Sequence, residues 1–127
     1  MSRDHRPVFL NLFQIRLPVQ GVVSIAHRIS GILLFLFIPF VLSLLMYAST
    51  SEEGFAWVLG VINMSVLMPA FFLIVWAFWH HLFAGIRHLL LDLELGVEKQ
   101  PSRISALLVL SLGLGAALAS TLSWYLL

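Results

Sequence analysis

Four of the five histidines fall in two short segments whose spacing suits a buried polar site. The first segment holds Ser24, His27, Arg28 and Gly31. Offsets of i, i+3, i+4 and i+7 put these on one face of a helix, and Gln20 extends the stripe. There Arg28 can hold an anionic or partly charged oxygen, and Ser24 can donate a hydrogen bond. Alone, Arg28 would read more simply as a side chain reaching for the membrane interface. Four such residues on one face, a histidine among them, favour a site. The second segment holds His80, His81, Gly85, Arg87 and His88. His81 and His88 are seven apart and nearly superpose in projection, with Gly85 between them, while His80 points about 100° away. His81 lies six residues before Arg87, about 9 Å deeper along the axis. A neutral imidazole at that depth needs a partner. Haem iron accepts an axial histidine, and a glycine one turn away leaves room for a flat macrocycle. That makes His81 the best candidate for an iron ligand, against the blander alternative of an interhelical hydrogen bond. No other histidine lies at matching depth on a neighbouring helix. A haem with two histidine ligands would therefore take its second from another chain.

The elements that must carry these residues follow from the distribution of charge. The 127 residues are 61% hydrophobic and 10% charged. Soluble domains of this size carry about a quarter charged residues, and disordered chains carry more charge still. Both classes are excluded. There are no cysteines, so disulfides, thiolate metal sites and iron–sulfur ligation are excluded too. Residues 29–51, 54–86 and 104–127 hold no Asp, Glu, Lys or Arg over 23, 33 and 24 positions. A helix needs about 20 apolar residues to cross a bilayer core of ~30 Å, whereas barrel strands alternate and run only ~10. The fold class is thus an all-α integral membrane protein. Its three transmembrane helices are expected over about 21–48, 57–88 and 104–125, in a single membrane-anchor domain covering 1–127. Pro39 and Pro69 are expected as mid-span kinks. Ser111, Gly115, Ala119 and Ser123 form a small-residue stripe on the third helix, suited to packing on a helix of this chain or another.

All seven basic residues lie on one side of these spans. Arg3, Arg6, Arg16 and Arg28 precede or open the first, and Arg87, Lys99 and Arg103 flank the second loop. The first loop has only Glu52 and Glu53. The positive-inside rule puts the N-terminus in the cytoplasm and the C-terminus outside, with Tyr47, Trp57, Trp124 and Tyr125 in the outer aromatic belt. Residues 1–20 are expected in the cytoplasm or the interface, lying on lipid or against a partner protein. The first apolar run begins too late and is too long for a secretory signal. No phosphate-binding glycine loop is present, and no nucleic-acid partner is expected. A small transporter subunit is the rival class. It usually needs a carboxylate within a span, and all six acidic residues lie outside the uncharged stretches.

The motifs are recognisable. Arg6-Pro7, then Ser24-Ile25-Ala26-His27-Arg28-Ile29-Ser30-Gly31, then His81-Leu82-Phe83-Ala84-Gly85-Ile86-Arg87-His88 followed by Asp92, resemble the family of succinate dehydrogenase cytochrome b subunits. These are the larger membrane-anchor chains of respiratory complex II. The resemblance covers the whole chain and departs at Leu91, usually aromatic or Met, and at Glu94, usually a small residue. It implies that His81 is the axial ligand of haem b and that a small sister anchor subunit supplies the other. It implies that Ser24 and Arg28 line the ubiquinone site, and that His27 and Arg28 lie near the haem propionates. His88 belongs to the same motif, and Asp92 falls near the cytoplasmic quinone entrance. FAD and the iron–sulfur clusters would sit in the partner flavoprotein and iron–sulfur subunits, docked on the cytoplasmic side of a bacterial inner membrane. The implied function is electron transport in the tricarboxylic acid cycle, with an anchor of fumarate reductase as the reverse-direction alternative. This chain alone, without a flavin motif or cysteine ligand, would not oxidise succinate.

Overall fold

The computed structural model describes residues 17–126. Arg3, Arg6, Arg16 and most of the expected interfacial segment lie outside the described residues. Helix α1 runs Val19–Ala48. It starts after Pro18, whose extended backbone stops the preceding chain and whose carbonyl accepts from the N–H groups of Gly21 and Val22. Its 30 residues reach about 45 Å, longer than the ~30 Å hydrocarbon layer. The helix continues through Pro39.

A tight turn leads to α2, Glu52–Ile62. Ser51 caps it by accepting from the Gly54 N–H at 3.0 Å, and Glu52 and Glu53 sit at the positive end of its dipole. Gly54 is required for this turn, because a Cβ there would lie 2.6 Å from the Tyr47 carbonyl oxygen. Tyr47 and Trp57 meet edge to face across it, ring centroids 5.4 Å apart.

The second uncharged stretch differs from expectation. Instead of one helix from about residue 57, the chain breaks after α2 at Asn63 and Met64. A 3-10 turn at Ser65–Leu67 follows, and then α3, Met68–Asp92. Pro69 therefore stands in the first turn of α3 rather than at mid-span. There its missing N–H falls among the first-turn groups that have no acceptor within α3. The second membrane-crossing helical segment is Ser65–Asp92. α3 ends in a Schellman turn, with Leu95 N–H on the Leu90 carbonyl and Glu94 N–H on the Leu91 carbonyl. Glu94 takes the left-handed position, φ 61°. α4 runs Lys99–Leu126.

α1, the Ser65–Asp92 segment and α4 are each long and apolar enough to cross a membrane. α3 lies against both others, antiparallel to each. Small residues permit the close approach: Ala77 and Ala84 of α3 face Ala106, Val109, Gly113 and Ala117 of α4, and Val23 of α1 completes the core. The stripe Ser111, Gly115, Ala119 and Ser123 is not part of this packing. All four are exposed, and a Cβ on Gly115 would touch nothing within 4 Å. α4 carries small residues on two nearly opposite faces, and α3 takes the one where Gly113 clears the His80 backbone, 3.2 Å from an added Cβ.

Candidate functional site

The antiparallel crossing of α1 and α3 brings three of the predicted residues together. The His27 and His81 rings stack, centroids 4.1 Å apart and 10° from parallel. His88 lies on the other side of His27, centroids 4.9 Å apart. Its Nδ1 sits 2.6 Å from the Ala84 carbonyl one turn back. His27 is thus inserted between two histidines that the helical repeat of α3 aligns.

Two glycines line the crossing, and Gly31 is the one that the close approach requires. A Cβ on Gly31 would lie 2.9 Å from His81 Cε1, a distance real side chains do not tolerate. A Cβ on Gly85 would touch His27 Nε2 at 3.5 Å. The space expected beside Gly85 for a macrocycle is bordered here by the His27 imidazole. His81 Nδ1 lies 3.1 Å from the His27 carbonyl and 3.2 Å from Ser30 Oγ. Among the described residues, Nε2 has no hydrogen-bond partner.

The remaining predicted residues stand apart from this stack. Ser24 is half-buried one turn before it, and Arg28 is exposed on the outer side of α1. Asp92 is exposed at the last residue of α3. No group of three or more His, Asp or Glu side chains among the described residues converges as a bare metal ion requires. One histidine with a free nitrogen is what a chain offers to a cofactor whose other ligand comes from elsewhere.

Three polar residues of α3 and α1 are buried in contacts that their spacing does not predict. Ser30 is fully buried at the His81 contact. His80 is fully buried as well, stacked on Trp76 at 5.2 Å, with both ring nitrogens lacking a protein partner. It packs against Gly113 of α4 while His81, about 100° round the helix, faces α1. Arg87, part of the second polar segment and a basic flank of the second loop in the sequence, is 6% exposed. Its Nε donates to Ser105 Oγ at 3.0 Å, and its Nη2 donates to Ser102 Oγ at 3.0 Å and the Ser102 carbonyl at 3.2 Å. The signal available was the Ser102–Ser105 spacing, which puts both hydroxyls on one face of the first two turns of α4.

A family model described as succinate dehydrogenase/fumarate reductase transmembrane subunit matches residues 2–122. The chain is similar to the succinate dehydrogenase cytochrome b556 subunit of Coxiella burnetii (strain RSA 493 / Nine Mile phase I). The two are 39% identical over 102 residues, covering 80% of this chain and 82% of that protein. It is also similar to the succinate dehydrogenase cytochrome b556 subunit of Paracoccus denitrificans, 35% identical over 113 residues, covering 84% of this chain and 82% of that protein.

Proposed function

The chain belongs to the succinate dehydrogenase/fumarate reductase transmembrane subunit family, and on that premise we propose that it is the haem- and quinone-binding anchor of a succinate:quinone oxidoreductase. The whole chain acts as one anchor unit in a bacterial inner membrane, N-terminus cytoplasmic and C-terminus periplasmic. Flavoprotein and iron–sulfur subunits dock on the side where Arg87, Lys99 and Arg103 collect, and a small sister anchor subunit packs beside it.

The observation that carries the reading is His81. Its ring is seated against α1 through Nδ1, and Nε2 has no hydrogen-bond partner among the described residues. That donor fits haem b, which His81 would hold together with a ligand from the sister subunit. The cofactor, when bound, supplies reversible one-electron storage. His27, in contact with His81, and Arg28, one residue on, are placed to meet the propionates. Ser24 and Arg28 stand at the same end of α1, where a quinone can approach from the lipid. Arg28 stabilises negative charge developing on a quinone oxygen, and Ser24 orients it by a hydrogen bond. His88 and Asp92 lie toward the cytoplasmic end of α3, on the side from which the protons of quinone reduction arrive. The family includes fumarate reductase anchors, which run the reverse direction with the same parts. Aerobic growth on succinate that depends on this chain distinguishes the two.

The test of the central assignment is the reduced-minus-oxidised spectrum of the purified complex. A b-type spectrum is expected and should be lost in His81→Ala. A spectrum that persists unchanged in that variant refutes the ligand assignment.

A further inference from the structure

The hydrogen-bond network around His81 assigns its proton. Ser30 has a single hydroxyl hydrogen, and Ser30 Oγ donates it to the His27 carbonyl at 2.8 Å. Toward His81 Nδ1, 3.2 Å away, Ser30 Oγ can then only accept. The His27 carbonyl, 3.1 Å from the same nitrogen, can also only accept. Two acceptors on one ring nitrogen require a hydrogen there. Nδ1 therefore carries the proton, and Nε2 carries the lone pair. The tilt of the ring is set by the next residue. The His81 edge fills the place of a missing side chain at Gly31, where a Cβ would stand 2.9 Å from Cε1 and 3.4 Å from Nδ1.

We propose that Ser30 and Gly31 form a cradle on α1 that fixes the tautomer and tilt of the His81 ring and so presents Nε2 as a ligand nitrogen. The proposal rests on the reading of His81 as a haem ligand. Ser30 is a positioning residue, acting only through His81. Metal-ligating histidines nearly always donate their second N–H to an oxygen, which orients the ring and raises the basicity of the ligating nitrogen. Here the oxygens come from α1 and the histidine from α3, so the ligand geometry depends on the crossing of two helices. A more basic ligand favours ferric over ferrous iron. Loss of the Ser30 acceptor weakens that preference, and an added methyl at Gly31 displaces the ring bodily.

The experiment compares wild type, Ser30→Ala, Ser30→Thr, Gly31→Ala and His81→Ala in the purified complex, reading haem retention, the midpoint potential and ¹⁵N signals of labelled imidazoles in haem-depleted complex. Ser30→Ala should retain haem about tenfold less tightly and show a raised potential. A tenfold change in relative ferric and ferrous affinity corresponds to about 59 mV for one electron. Ser30→Thr, which keeps the hydroxyl, should restore both. Gly31→Ala should lose haem. Wild-type retention and potential in Ser30→Ala, with the spectrum gone in His81→Ala, overturns the cradle alone. No b-type spectrum in wild type, or one unchanged in His81→Ala, overturns the ligand reading and the cradle together. Should Ser30→Ala fail to assemble, the His81 signals in wild type decide: an Nε2-protonated tautomer overturns the proposal.

Discussion

Replacing Ser102 and Ser105 together by alanine should cost more stability than removing the arginine they serve. Arg87 is a nearly fully buried cation whose described partners are all neutral: two hydroxyls and one carbonyl of α4. Hydrogen bonds from a charged donor contribute ~1.5–3 kcal/mol each. The double serine variant removes two of the three and leaves the guanidinium buried with the Ser102 carbonyl alone. The expected loss is ~3–5 kcal/mol, the range for stranding a buried charge. Arg87→Met forfeits the same bonds but also the desolvation penalty of the cation, several kcal/mol. The serines left behind still have each other, since Ser105 Oγ donates to the Ser102 carbonyl at 3.1 Å. Its net cost should stay below ~2 kcal/mol. The triple variant should then be about as stable as Arg87→Met, so the coupling in the cycle equals the cost of the double serine variant, ~3–5 kcal/mol. Reversible denaturant unfolding of the detergent-solubilised complex, followed by tryptophan fluorescence, reads all four. Serine and arginine effects that simply add would refute the account of Arg87 as a stranded-charge risk held by α4.

Other outcomes follow from single residues. Arg28→Leu should lower quinone reduction at least tenfold, the loss of one charge-stabilising contact at a developing oxyanion being worth ~10²–10³ at the upper end. Succinate oxidation with an artificial dye should be unaffected, because the exposed Arg28 supports no described packing; equal quinone turnover in both proteins removes it from the site. Glu94→Gly should stabilise the fold by ~0.5–1 kcal/mol. The left-handed backbone at φ 61° costs a side chain ~1–2 kcal/mol, against ~0.4–1 kcal/mol for the extra freedom of glycine in the unfolded chain. A lower midpoint in denaturant would contradict the strain.

The sequence made the spans legible because charge is expensive in hydrocarbon, so 23, 33 and 24 uncharged positions stand out against any other pattern. The meeting of His27 with the α3 histidines was half legible. Each face could be projected from its helical repeat, but which turn of α1 meets which turn of α3 depends on the glycines that let them approach. The break at Asn63 was hidden because residues 54–86 are uniformly apolar, and Pro69 reads equally well as a kink or a start. On α4, two faces are lined with small residues, and contacts from α3 decide between them: His80 by its backbone against Gly113, Trp79 by donating from Nε1 to Ser120 Oγ at 3.0 Å. Arg87 was invisible as a structural residue because a basic side chain at a helix end is ordinarily an interfacial one.

α3 is fastened to its two neighbours by different means. Toward α4 the links are self-sufficient: Trp79 to Ser120 and Arg87 to Ser102 and Ser105, all side chains of this chain. Toward α1 the described side-chain links run through His81 and the stacked rings of His27 and His88. The hairpin of α3 and α4 is held by its own hydroxyl, indole and guanidinium groups, whereas the seat of α1 rests on imidazole contacts, so changes at the imidazoles should free the first helix and leave the hairpin joined.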